Sequence, residues 1–144
     1  MTATATDTRR LAQSYGDAWN AHDIDAILSM HAEGMVFHLH LPGYEEVTGE
    51  ANLRAHFGLF FELWPDLAFR SERLSACEGL FVNEMTMIGT LTQPMPAGWG
   101  MIEPNGKQVC FDAVDVVPIR DGKVARKDTY LDAASLLHQL AGLG

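Results

Sequence analysis

The stretch from Asn105 to Leu140, NGKQVCFDAVDVVPIRDGKVARKDTYLDAASLLHQL, constrains the fold more than any other part of the chain. It reads as two long strands joined at Asp121-Gly122, followed by a short closing helix. An Asp-Gly pair between alternating apolar residues is the strongest local sign of a hairpin, because a tight primed turn needs positive φ and glycine adopts it freely. On the first strand Phe111, Ala113, Asp115, Val117 and Ile119 share one face. A single carboxylate therefore stands in a row of apolar side chains. Turned to a cavity, Asp115 would be desolvated and its pKa raised, as a buried general acid requires. Turned to solvent or to a partner chain, it would be wet. Strand geometry leaves both open.

The chain has 144 residues, the common size of one domain, and shows no linker or internal repeat. Such a chain buries about two-thirds of its unfolded surface, enough for a core and one pocket. Apolar residues make up 47% and charged residues 20%, ordinary for a globular protein. No run approaches the length of a membrane span. The first seven residues are polar and expected to be flexible. The start lacks the apolar core of a secretory leader, so a cytoplasmic location is expected. Cys77 and Cys110 show no metal-ligand spacing and read as free thiols, buried or half-buried. A net charge of −9, with no Lys/Arg cluster to offset it, argues against nucleic acid and anionic membranes as partners.

Periodicity places the other elements. Leu11, Tyr15 and Trp19 recur every four residues and predict a helix over 8–20. Asp23 caps a second short helix carrying Ile24, Ile27, Leu28 and His31, and Gly34 ends it. Residues 35–41 alternate as a strand that Pro42 and Gly43 break. A third helix spans about 50–63, with Leu53, Phe57, Phe60, Phe61 and Trp64 on one wide face, and Pro65 stops it. Strands follow near 67–74 and 80–92. The segment 93–104, with three prolines and two glycines, reads as a loop. Helices first and hairpin-linked strands afterwards indicate an α+β fold: an antiparallel sheet with helices on one face.

The segments SYGDAWNAHDIDAILSMHAEGMVFHLHLPG, TGEANLRAHF and FDAVDVVPIRDGKVARKDTYLD resemble the nuclear-transport-factor-2-like superfamily. Within it the chain is most similar to the SnoaL-like polyketide cyclases, and more distantly to ketosteroid isomerases. The similarity runs from about Leu11 to Leu140. It implies a cone: a curved antiparallel sheet wrapped around three N-terminal helices, with a short C-terminal helix and an apolar pocket at the open mouth. It also implies a homodimer formed through the outer sheet face, and no metal or cofactor.

By the same resemblance, Tyr15 and Asp115 match the two residues with which ketosteroid isomerases hold an enolate oxygen. The proton-moving Asp of that family falls here at His40, or at His38 with a gap placed differently. The two histidines share a strand face, and an imidazole shuttles protons near neutral pH. Met35, Phe37, Leu39 and Leu41 oppose them, and either face could be the core side. SnoaL-like cyclases use an acid near the last strands, for which Asp128 is the positional candidate. Its alternative is a polar place on the outer face. Asp132 is better explained as a helix N-cap. The His of a related G-T-H-T segment is replaced by Leu91, a departure from the ester cyclases.

His38-x-His40 with a later carboxylate could bind Zn²⁺ in principle, but no third ligand stands at a suggestive spacing. The expected pocket wall comprises Trp19, Phe57, Phe61, Trp64, Met87, Trp99 and Met101, whose large apolar side chains suit a flat hydrophobic ligand. The resulting expectation is a cofactor-independent cyclase or isomerase for a small hydrophobic carbonyl compound. Asp115 and Tyr15 would hold the oxygen, and His38 or His40 would move the proton. Two alternatives stand beside it. One is an epoxide hydrolase built on Arg126, Asp128 and Asp115; the other is a non-catalytic ligand-binding or dimerisation module.

Overall fold

The computed structural model describes residues 4–141. Helix α1 is Ala5–Asn20, α2 is Ile24–Ser29 and α3 is Glu50–Leu63, all before the main run of strands. The strands are β1 His31–His40, β2 Val47–Thr48, β3 Ala68–Cys77, β4 Leu80–Thr90, β5 Met95–Ala97, β6 Gly100–Ile102, β7 Gln108–Arg120 and β8 Lys123–Leu131, and helix α4, Ala133–Leu140, closes the chain. The main sheet has the order β2-β1-β8-β7-β4-β3. Its pairings are antiparallel except for β1 with β8, which is parallel. The architecture is the expected α+β, a curved open six-stranded sheet with the apolar faces of the helices against it. Where an all-antiparallel sheet was expected, the one parallel pair arises because β1 and the last strand meet only after the whole chain has come round.

Local chemistry explains the element ends. Thr4 and Asp7 form a capping box on α1, so part of the polar lead expected to be flexible is a helix start; residues 1–3 lie outside those described. Asp23 and Asp132 cap α2 and α4 through Ala26 N and Ser135 N, each at 3.1 Å. Gly34 does not end α2. It lies inside β1 at φ +77, within the irregularity between His31 and Val36, as a bulge requires. The β7–β8 turn is the predicted one, with Asp121 at φ 54 and Gly122 at φ 76.

The segment read as a loop folds as the β5–β6 hairpin. It docks on Pro42–Gly43 through a 2.7 Å hydrogen bond from Gly98 N to Pro42 O. A Cβ on Gly43 would stand 2.7 Å from Gly98 N, so this approach needs glycine. The core gathers Trp19, Ile27, Phe37, Phe57 and Val117 between α1, α3 and the inner sheet face. Cys77 and Cys110 are free, as expected, but exposed rather than buried.

Candidate active site

Period-two alternation assigns the faces of the sheet. On β1, Met35, Phe37 and Leu39 are buried and point inward, while His38 and His40 point out. Register carries this across to β8: Phe37 pairs with Lys127, His38 with Asp128 and Leu39 with Thr129. Lys127 and Thr129 therefore face inward, and Arg126 and Asp128 outward.

Inside lies a hollow of about 60 Å³. Its wall is apolar, with Trp19, Trp64, Phe69, Phe111 and three methionines, Met85, Met87 and Met95. Among the described residues that line it, only Lys127 and Thr129 bring a charge or a hydroxyl. Lys127 is 5% exposed and Asp115, directly behind it, 7%. The Lys127 Nζ donates to Asp115 Oδ2 at 2.5 Å, and Thr129 Oγ1 donates to Asp115 Oδ1 at 2.6 Å. The ammonium also sits 4.9 Å from the Trp19 ring centroid, a cation–π contact strengthened by the dry surroundings. A buried charge persists only when paired and hydrogen-bonded, and this ion pair meets that condition on both sides. Asp115 is thus buried on the inner face, yet it is not the lone desolvated acid imagined from the sequence. It accepts from an ammonium and a hydroxyl.

Tyr15 is buried against the same cluster but does not line the hollow. Its hydroxyl is 2.7 Å from His31 Nε2. Burial, with the charge of Asp115 adding to it, pushes the phenol well above its usual range. Burial and the positive charge of Lys127 push His31 down to about 4, so the pair is neutral at pH 7. The other ring nitrogen, Nδ1, is buried without a partner, as is the Trp19 indole N–H.

His38 and His40 do not enter the hollow, because the fully apolar residues between them take the core side. Their rings lie 3.9 Å apart on the outer face. The His40 Nε2 is 2.8 Å from Asp128 Oδ1 and its ring stacks on Tyr130 at 4.0 Å. Arg126 holds the other side of Asp128, with Nε 2.7 Å from Oδ2 and Nη2 3.0 Å from Oδ1. Those hydrogen bonds keep the Asp128 carboxyl below the usual carboxylate range. The trio Arg126, Asp128 and Asp115 does not converge, since the sheet stands between its members.

Of the expected wall residues, Trp19, Trp64 and Met87 line the hollow. Phe57 is fully buried core, and Phe61 packs on His22 and Trp19 outside it. Trp99 and Met101, 55% and 51% exposed, point away on the β5–β6 hairpin, while Met95 on that hairpin points in. Residues absent from the sequence-based set are Lys127, Thr129 and His31. Alternation puts Lys127 and Thr129 on one face of the last strand, but which face is set by the register shift between Val116 and Ile119, not by alternation. His31 carries no signal of its place.

A sequence model described as the SnoaL-like domain matches residues 12–127. No curated protein sequence matches. Among solved structures, a candidate polyketide cyclase from Xanthomonas campestris pv. campestris superposes with a TM-score of 0.83 at 19% identity, covering 96% of this chain and 99% of that one. A candidate SnoaL-like polyketide cyclase from Jannaschia sp. CCS1 gives 0.82 at 17% identity, with 98% and 96% covered. An epoxide hydrolase from M. tuberculosis gives 0.73 at 14%, with 96% and 92% covered. At these identities the superpositions speak for the fold.

Proposed function

The chain belongs to the SnoaL-like domain family, and from that premise we propose that it is a cofactor-independent cyclase or isomerase acting on a hydrophobic carbonyl compound of polyketide or terpenoid kind. The observation that carries the reading is one buried ammonium–carboxylate pair at the wall of an otherwise apolar hollow. A carbonyl oxygen placed there accepts from Lys127 Nζ. A proton on the adjacent carbon passes to Thr129 Oγ1 as Thr129 hands its own to Asp115 Oδ1, one hydrogen bond away. The C–H electron pair becomes an enolate held against the ammonium, where low dielectric strengthens the attraction.

Attack by the enolate carbon on a second carbonyl of the same molecule forms the ring C–C bond. The new alkoxide takes a proton from Lys127, and Asp115 returns one to the amine. Reprotonation of the enolate at a different carbon gives isomerisation instead. Tyr15, expected to hold the oxygen, is better described as a support: its hydroxyl is spent on His31. The hollow matches the reacting part of a substrate rather than a whole polyketide, and the flexible Met85, Met87 and Met95 are the wall that would yield to the rest.

Incubating linear aromatic polyketones with the protein and following ring closure by NMR tests the reading. Asp115→Asn should slow the reaction by ~10²–10⁴-fold, the usual worth of positioned acid–base help. An unchanged rate would remove Asp115 from the chemistry. The epoxide-opening alternative has less support, because Arg126 and Asp128 lie across the sheet from Asp115. Ligand binding without turnover in the wild-type protein would favour the non-catalytic module.

A further inference from the structure

The outer face of β1 and β8 carries a second constellation that the proposed chemistry does not use. His38 and His40 stand two apart on β1, and the parallel register sets Asp128 directly beside His38. One ligand atom from each of the three lies within 4.8 Å of the others, on half-buried side chains. The third ligand that the His-x-His spacing lacked in sequence is thus supplied by a strand about ninety residues on, brought alongside by the fold.

We infer that His38, His40 and Asp128 form a binding site for a divalent transition-metal ion of the Zn²⁺ type. Two imidazoles and one carboxylate are the donor set such ions take, with a fourth position left for water. Ligand atoms around a tetrahedral Zn²⁺ stand about 3.3 Å apart when the metal bonds are about 2.0–2.1 Å. The His40 Nε2 and Asp128 Oδ1 are already 2.8 Å apart, so that edge needs only a slight opening. His38 closes the remainder by turning its ring away from Tyr44 O, which holds its Nε2 weakly at 3.3 Å.

The surroundings are arranged as outer partners of a metal site are. Arg126 grips Asp128 through two hydrogen bonds and would keep the carboxylate oriented while Oδ1 turns a lone pair to the ion. Its positive charge is offset by Glu46, whose Oε2 lies 2.6 Å from Arg126 Nη1. Two carboxylates against one guanidinium leave the cluster with one negative charge before the ion arrives. Tyr130, flat against the His40 ring, fixes its plane. Binding replaces the contact between His40 Nε2 and Asp128 Oδ1 by two metal bonds, the neutral His40 ring then carrying its hydrogen on Nδ1. The ion would clip β1 to β8 on the back of the strand that presents Lys127 to the hollow.

The test is Zn²⁺ titration of the untagged, metal-free full chain against a chromophoric chelator, with thermal unfolding alongside. One Zn²⁺ per chain should bind and raise Tm, while Mg²⁺ does neither, since it demands oxygen ligands. His38→Ala and Asp128→Asn should each weaken Zn²⁺ by ~10-fold or more and abolish the Tm shift, whereas His138→Ala leaves both unchanged. Circular dichroism of each variant in the absence of metal controls for folding, and His40→Gln is the substitute should either variant misfold. No binding to the wild-type chain, binding undiminished in His38→Ala, or one ion shared between two chains would overturn the site.

Discussion

Lys127 is buried among apolar side chains, and Asp115 is its ion-pair partner there. Breaking a buried ion pair by removing one partner typically costs ~3–5 kcal/mol, whereas replacing both partners by apolar groups of similar volume is often neutral or better. Lys127→Met should therefore lower the free energy of unfolding in urea by ~3–5 kcal/mol, because it takes the ammonium away from a buried carboxylate. The double variant Lys127→Met/Asp115→Leu should recover most of that loss, less the ~1–3 kcal/mol for the orphaned Thr129 hydroxyl, and be inactive. A single variant as stable as wild type would mean that the pair is already wet. The two variants together separate the pair's part in stability from its part in the proposed chemistry. The inward place of Asp115 is legible from alternation alone. Its partners are not, because nothing in a strand's composition says which cation will cross from the next strand.

At the scale of elements, the missing signal is a one-residue slip. Near the turn, Arg120 pairs with Lys123 and Ile119 with Val124. Counting on from there without a break would set Asp115 opposite Asp128, and Asp128 would face the hollow. The ladder shifts by one between Val116 and Ile119, so Asp115 instead opposes Thr129. A slip of one residue exchanges the two faces of a strand. That bulge, next to Pro118, which has no N–H to give the ladder, turns Lys127 and Thr129 in and sends Arg126 and Asp128 out. The histidines of β1 follow the same logic. Their fully apolar neighbours decide the inner face once a core lies on only one side.

A second link between elements makes a pH prediction. Tyr15 on α1 is bound to His31 at the start of β1, and His31 is held down at about 4 by burial and Lys127. Its unfolded value is near 6.5, so between pH 6.5 and 4 the unfolded chain binds the extra proton. Stability is then present in full above pH 6.5 and falls as the pH drops through that window, by ~3 kcal/mol at most. His31→Gln, which retains an acceptor for the phenol, should flatten that part of the urea-stability profile. A profile with the same slope in the variant would assign the acid sensitivity to other groups.

For the whole molecule, element order and the final hairpin were enough to reach the α+β class, and the resemblance supplied the curved sheet around three helices. The sheet order, the parallel β1–β8 pair and the β5–β6 hairpin came only with the structure. Prolines and glycines in 93–104 mark turns, and a two-turn segment and a short hairpin share that composition. The resulting shell is greasy and tight, so the account rests on carbon acidity being raised inside it by one ammonium and one carboxylate. Deuterium incorporation next to the carbonyl reads that step without requiring the natural substrate. Aromatic 1,3-diketones would be admitted to the comparison only after their binding is established by quenching of tryptophan fluorescence, since Trp19 and Trp64 line the hollow. The account predicts that the wild-type protein accelerates exchange of the α-proton of a bound diketone in D₂O, and that Asp115→Asn and Lys127→Met bring the rate back to the buffer value. A bound diketone exchanging no faster than in buffer, or exchanging equally fast with either variant, would contradict it.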